Sequence, residues 1–258
     1  MHEVRDGIAT ITLNRPDAAN ALLPEQRDTI IDLLGGAATD TAIRVVVLRA
    51  EGKHFCSGAD VASIRSTQGE LKTGDGMRRI MHGAQRLIAG VLDCDKPVIA
   101  SVQGAAAGLG AHLAFACDMV VASERAFFSE PFLLRGIVVD GGGAYLLPRL
   151  IGLQRAKELA FLGDRLSAGD ARELGLVNRV VPPEQLVGAT AELATRLATA
   201  PTSAVALTKR LFNRSLDGDR AASFIEEAMA QEIQSKSHDA IEGIASFVER
   251  RQSIYLGY

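Results

Sequence analysis

The sequence predicts an α/β layered domain, and three observations carry that prediction. Short runs of β-branched residues alternate with helical stretches over roughly the first two-thirds of the chain. Two loops of small residues, 52–61 and 104–112, each follow directly on such a run. Beyond about residue 190 the strand signals stop and the chain reads as helix.

In chain order, Ile8 to Leu13 alternates as a half-buried strand entered through the turn-like Arg5-Asp6-Gly7, and Asn14-Arg15-Pro16 breaks it. Pro24 opens a helix whose apolar face carries Ile30, Ile31, Leu33 and Leu34. Ile43 to Leu48 is a continuous apolar run, as in a strand covered on both faces. Val98 to Val102, introduced by Lys96-Pro97, and Met119 to Val121 repeat that pattern. Ser167-Ala-Gly-Asp170 opens a short helix that Gly175 closes. Leu176-Val177 and Val180-Val181 frame a last short strand before Pro182-Pro183. From Glu184 the chain is helical, with breaks near Pro201, Asp217-Gly218 and Ser237. A final stretch from Ala240 to Ser253 carries Ile241, Ile244, Ala245 and Val248 on one face.

Composition narrows the function classes. With 47% hydrophobic and 23% charged residues, the 258-residue chain can bury a sizeable core. The net charge of −3 comes from interspersed charges with no basic block, and there is no tryptophan, which argues against nucleic-acid binding. No apolar stretch reaches the roughly 20 residues of a membrane span, and the N-terminus does not read as a signal peptide. Cys56, Cys94 and Cys117 are scattered, as expected of reduced thiols. The reading is a soluble cytoplasmic enzyme.

Each small-residue loop leaves backbone N–H groups available to an anion, or to an oxygen that becomes anionic during reaction. The plainer alternative is close packing of a helix on a sheet. Two such loops, each just past a buried strand, favour function. Gly104-x-x-x-Gly108-x-Gly110 also has the spacing of a dinucleotide-binding loop in short-chain dehydrogenases, but that loop belongs after the first strand. The Tyr-x-x-x-Lys pair of those enzymes is absent too, since Tyr145 is followed four later by Arg149.

Asn14-Arg-Pro-Asp-Ala-Ala-Asn20-Ala-Leu, Phe55-Cys-Ser-Gly-Ala-Asp60-Val and Lys96-Pro-Val-Ile-Ala-Ser-Val-Gln-Gly104 together resemble the enoyl-CoA hydratase/isomerase (crotonase) family. Cys117-Asp118, Gly163-Asp-Arg-Leu-Ser-Ala-Gly-Asp-Ala171 and Gly175-Leu-Val-Asn extend the match, in order, from about residue 5 to 185. The resemblance implies a spiral of ββα units in residues 1–190, binding acyl-CoA and carrying catalysis. It implies a helical region, 191–258, used in trimerisation and completing the CoA site. It places the backbone N–H groups of Ala59 and Leu109 as the two donors to a thioester oxyanion. Lys53, Ser57, Gly58, Ala59, Asp60 and Val61, with Gly108 and Phe132, are expected to line the substrate and CoA site. Residues 65–90, with Gly69, Gly74, Asp75-Gly76, Met77, Ile80 and Met81, are expected to wall the acyl pocket.

One departure matters. The two glutamates with which hydratases activate water fall, by motif, on His112 and Phe132, and neither is a carboxylate. Glu130 and His112 remain as possible catalytic groups. Asp140, eight residues beyond Phe132, falls where some non-hydratase members of the family carry a catalytic aspartate. Its context, Asp-Gly-Gly-Gly-x-x-x-Leu-Pro-Arg, resembles the isomerases of phenylacetate breakdown. A carboxylate between apolar runs has a raised pKa, which suits a base that moves a proton along an enoyl thioester. The competing structural role is an N-cap for the helix through Tyr145-Leu146-Leu147.

The expected function is double-bond isomerisation of an acyl-CoA thioester, with Asp140 as acid/base. The alternatives are an enoyl-CoA hydratase and, from another class, a CoA-thioester binding protein without catalysis. No metal and no cofactor beyond the substrate's coenzyme A is expected, and a homotrimer or dimer of trimers is.

Overall fold

The computed structural model describes residues 1–62 and 72–258, so Gly69 and the first part of the expected acyl-pocket wall lie outside the described residues. A six-stranded sheet forms the centre, in the order β1 (His2–Arg5), β2 (Ile8–Leu13), β3 (Val45–Ala50), β4 (Val98–Val102), β6 (Met119–Ser123), β9 (Arg179–Val181). Only β1 runs antiparallel to its neighbour. A second, three-stranded sheet pairs β5 (Ala105–Ala107) with β7 (Phe127–Ser129) and β7 with β8 (Leu166–Ser167).

The two sheets are stitched by a repeat. A strand of the large sheet is followed at once by a strand of the small one and then by a helix. Thus β4 and β5 lead into the helix Leu109–Ala116, and β6 and β7 lead towards the helix Gly143–Ile151. Parallel pairing of β4 with β6 and of β5 with β7 stacks the repeats, giving the expected spiral of ββα units.

The continuous apolar runs of β3 and β4 are explained by burial on both faces. One face is covered by α1 (Pro24–Thr39) and by a long helical segment: α2 (Asp75–Arg79), a π-helical stretch (Ile80–Gln85) and α3 (Arg86–Leu92). Behind these lies α4 (Leu109–Ala116), buried along its whole length. The other face packs Val45, Val47, Ile99 and Val121 against Leu186, Leu193, Ala194 and Ala198. The last four belong to α8 (Leu186–Ala198), preceded by α5 (Gly143–Ile151), α6 (Leu153–Leu162) and α7 (Ala168–Glu173). The expected boundary at residue 190 falls inside α8, and the packing of that helix on the sheet carries the core to Ala198.

The helical remainder comprises α9 (Thr202–Ser215), α10 (Arg220–Gln234) and α11 (His238–Glu249). Two of the three expected breaks fall at side-chain caps, where Asp219, just past Asp217-Gly218, and Ser237 each accept a hydrogen bond from a first-turn backbone N–H; Pro201 precedes α9 without a side-chain cap bond. The last helix stops at Glu249 rather than Ser253, because Arg250 adopts the left-handed conformation. The tail beyond is held as extended chain, with Asp239 accepting from the N–H groups of Leu256 and Gly257. Short strands β1, β5, β7 and β8 escape the sequence reading, the first because all four of its residues are exposed. Among the described residues no helix is long and apolar enough to cross a membrane.

Candidate active site

The two small-residue loops are zipped together. Phe55 N–H donates to Gln103 O at 2.8 Å, Cys56 N–H to Ala105 O at 3.0 Å, and Ala107 N–H to Cys56 O at 2.9 Å. The first loop is also anchored to the chain before α1. Leu22 N–H donates to Gly58 O and Asp60 N–H to Leu22 O, so the intervening Ala59 turns its own N–H away from Leu22. Leu109 is the first residue of α4, where helix geometry supplies no acceptor. Among the described residues neither the Ala59 N–H nor the Leu109 N–H has a hydrogen-bond partner.

Glycine makes this approach possible. An ideal Cβ on Gly58 (φ +105°) would sit 2.9 Å from Ala107 O and 3.7 Å from Leu109 N. On Gly110 it would sit 2.2 Å from Cys56 O. Two free donors on converging loops can hold an oxygen that acquires negative charge.

The Asn14–Leu22 motif supports the first loop from below. Buried Asn20, at φ +56°, donates to Glu51 O and His54 O and accepts from Arg15 N–H. Arg15 in turn pairs with Asp60 at 2.5 Å. The Asp60 carboxylate is thus buried against a guanidinium and acts as a strut of the loop, not as an open CoA ligand. Lys53 and Val61 are exposed on this loop, and Ser57 is half-buried. The Cys56 thiol is buried and pushed up to about 12 by desolvation, consistent with a packing role.

Asp140 stands in the turn before α5. Gly143 N–H donates to its backbone O at 3.0 Å. The N-cap of α5 is Gly142, with no side-chain cap, so the capping role for Asp140 is not realised. The carboxylate is half-buried and makes no hydrogen bond among the described residues. Desolvation raises its pKa, and the nearby His112 and Arg27 pull it partly back. The glycines that follow press this turn onto its neighbours. A Cβ on Gly142 would lie 2.9 Å from Ile88 Cγ2, and one on Gly143 would lie 2.2 Å from His112 Nε2.

His112 and Glu130 are both fully buried, with Nε2 and Oε2 2.8 Å apart. Burial raises the Glu130 pKa, and the hydrogen bond from His112 opposes this. Phe132 lies flat beside the imidazole, ring centroids 5.6 Å apart and planes within 4°. Its edge also meets Gly108, next to the Leu109 donor. The structure therefore gathers Leu109, Gly108, His112, Glu130, Phe132 and Asp140 around one end of α4.

Arg27 was not singled out in the sequence. Its spacing to Ile30 and Leu34 puts it on the inner face of α1, and a charge on an apolar stripe is the signal that marks it. Burial lowers its pKa, and Asp140 is among the carboxylates that oppose this. Among the described residues no group of three potential ligands forms a metal site.

The comparisons with known proteins agree with this architecture. Residues 3–257 match the enoyl-CoA hydratase/isomerase family, and the chain belongs to it. It is 34% identical over 259 residues to the 1,2-epoxyphenylacetyl-CoA isomerase of Escherichia coli, covering 100% of this chain and 98% of that protein. It is 33% identical over 248 residues to the short-chain-enoyl-CoA hydratase of Clostridium acetobutylicum, covering 95% of this chain and 92% of that one. The crystal structure of an enoyl-CoA hydratase/isomerase from Cupriavidus metallidurans superposes with a TM-score of 0.93 at 35% identity, over 100% of this chain and 96% of that one.

Proposed function

We propose that this family member is an enoyl-CoA isomerase that shifts a double bond along an acyl-CoA thioester. Asp140 is its acid/base, and the N–H groups of Ala59 and Leu109 form its oxyanion hole. The observation that carries the reading is the state of Asp140: a half-buried carboxylate with no hydrogen-bond partner among the described residues, held in a turn packed against the helix that supplies Leu109.

The ionised Asp140 removes a proton from the carbon next to the thioester carbonyl, or from its vinylogous position. The electron pair moves onto the thioester oxygen, giving a dienolate held by the two N–H groups. A single such donor is typically worth about 3 kcal/mol in the transition state. Collapse of the dienolate takes a proton from the Asp140 carboxyl at the other end of the conjugated system, after that carboxyl has exchanged with solvent, so no atom is gained or lost. A raised pKa favours this cycle, since the same group must both accept and release the proton near neutral pH.

Hydration is less well supported. Phe132 carries no exchangeable proton, and the Glu130 carboxylate is buried on His112. Lys53, Ser57, Gly58 and Val61 line the approach for the CoA arm in this reading, and no cofactor is required beyond the coenzyme A of the substrate. The exposed apolar residues Phe224, Ile225, Met229 and Ile233 on α10, with Ile244 and Phe247 on α11, suit assembly into a homotrimer or a dimer of trimers. We place the protein in the cytoplasm.

The test is conversion of 3-enoyl-CoA to trans-2-enoyl-CoA by the protein and by Asp140→Asn. Isomerisation lost in the variant supports the reading. A 3-hydroxyacyl-CoA product from both proteins would support the hydratase. Thioester binding without any conversion would support a non-catalytic role.

A further inference from the structure

Glu130 and His112 are an expensive pair to bury. Both side chains are fully inaccessible, and one hydrogen bond joins them, between Nε2 and Oε2. The remaining polar atom of each, His112 Nδ1 and Glu130 Oε1, is buried without a partner among the described residues. Unpaired buried polar atoms are uncommon and call for a reason. The orientation of the ring supplies one. Its Nε2 and Cε1 edge lies against Gly143, where a Cβ would come within 2.2 and 2.4 Å, whereas Nδ1 faces Gly141, at 3.7 Å from the corresponding point. Gly141 is the residue directly after Asp140. The flat contact with Phe132 and the crowding by Gly143 leave the imidazole little freedom to turn.

We infer that Glu130 and His112 form a positioning dyad for Asp140, in which Glu130 fixes the imidazole through Nε2 so that Nδ1 faces the Asp140 turn and the charges of the three groups are linked through space. The inference rests on Asp140 being the base. Among the described residues, the charged groups within electrostatic reach of Asp140 are His112 from α4, Glu130 from the end of β7 and Arg27 from α1. An imidazolium at His112 stabilises the Asp140 carboxylate, and the Glu130 carboxylate stabilises the imidazolium. When Asp140 receives the substrate proton, that support is no longer needed and the dyad is free to relax. Neither Glu130 nor His112 need touch the substrate for this. The consequence is a base whose proton affinity is set by a neighbour two links away, in place of the water-activating glutamates of a hydratase.

The test uses full-length protein labelled with 15N-histidine and followed by two-bond proton–nitrogen correlation spectra across the neutral pH range. His112→Gln assigns the His112 signals among the five histidines. The inference predicts that the His112 titration midpoint falls by about one unit or more in Asp140→Asn and again in Glu130→Gln, since strongly coupled groups titrate together. The other histidines should not move. A His112 midpoint that is the same in wild type and Asp140→Asn overturns the proposal. So does a ring that keeps one tautomer and one charge throughout in all three proteins. Glu130→Gln serves if His112→Gln does not fold, because assignment then rests on the signal perturbed by loss of its partner. This readout needs no turnover, so failure of the isomerase reading shows separately, as absence of double-bond shift in wild type. Where turnover is present, His112→Gln should move the acid limb of kcat/KM to higher pH.

Discussion

Cys56 and Ala106 pair in an isolated parallel bridge closed by two hydrogen bonds, Cys56 N–H to Ala105 O and Ala107 N–H to Cys56 O. This bridge joins loops that are 50 residues apart in sequence, and it brings Gly58 to Leu109. The donor pair of the proposed oxyanion hole is therefore a property of backbone pairing, not of any side chain.

Gly58→Ala is the direct test of that geometry. The added Cβ would meet the Ala107 carbonyl at 2.9 Å on a backbone of φ +105°, so the loop must shift. The expected effect is a fall in kcat of about 10²–10³-fold, the typical cost of one lost oxyanion donor. CoA-thioester binding measured by calorimetry should change far less. Equal losses in binding and in kcat would count against an oxyanion role.

Asp140→Asn keeps the shape and removes the transferable proton. Isomerase activity should fall about 10²–10⁴-fold, the usual contribution of a general acid–base group. Because burial disfavours the Asp140 anion, the variant should be as stable as wild type or more so at neutral pH. That advantage should shrink as pH falls through the raised pKa and both proteins carry a neutral group. Thermal melting at several pH values checks it.

The same raised pKa fixes a pH dependence. Asp140 must be ionised to take a proton, so kcat/KM should rise with pH through an acid limb lying above the ordinary carboxylate range. A pH–rate profile on a 3-enoyl-CoA thioester reads it. An acid limb at the value of an unperturbed aspartate would contradict the desolvation account.

Lys209 tests the fold away from the site. Its buried Nζ donates to Val91 O, Lys96 O and Asp118, tying α9 to the end of α3 and to the start of β6. Lys209→Ala strands the Asp118 carboxylate, whose pKa burial already raises. The expected loss is about 3 kcal/mol, towards the low end for a broken buried pair because Asp118 keeps some contact with water. Urea unfolding measures it.

Phe247 is 84% exposed on α11, beside exposed Ile244 and Val248. If this face joins copies of the chain, Phe247→Glu should lower the mass found by sedimentation with little effect on secondary structure. An unchanged mass would mean that assembly uses other surfaces.

The layered fold was legible because buried parallel strands announce themselves. The runs Val45-Val46-Val47 and Val98-Ile99-Ala100 are apolar throughout, as expected of strands covered on both faces. The small sheet was not legible. Ala105–Ala107 and Leu166–Ser167 are too short and too plain in composition to carry a period. Asp140 stood out as a carboxylate between apolar runs, yet its partners did not. His112 and Glu130 are 18 residues apart and come together only when β5 and β7 pair. Arg27 was hidden for a similar reason, since its neighbour Asp140 lies on a turn reached only through tertiary packing.

The most direct measurement is incubation with trans-2- and 3-enoyl-CoA thioesters in deuterated water, followed by mass spectrometry. The account predicts a shifted double bond and deuterium incorporated into the product, with no water added and both effects lost in Asp140→Asn. Addition of a water molecule to the double bond, undiminished in Asp140→Asn, would contradict it.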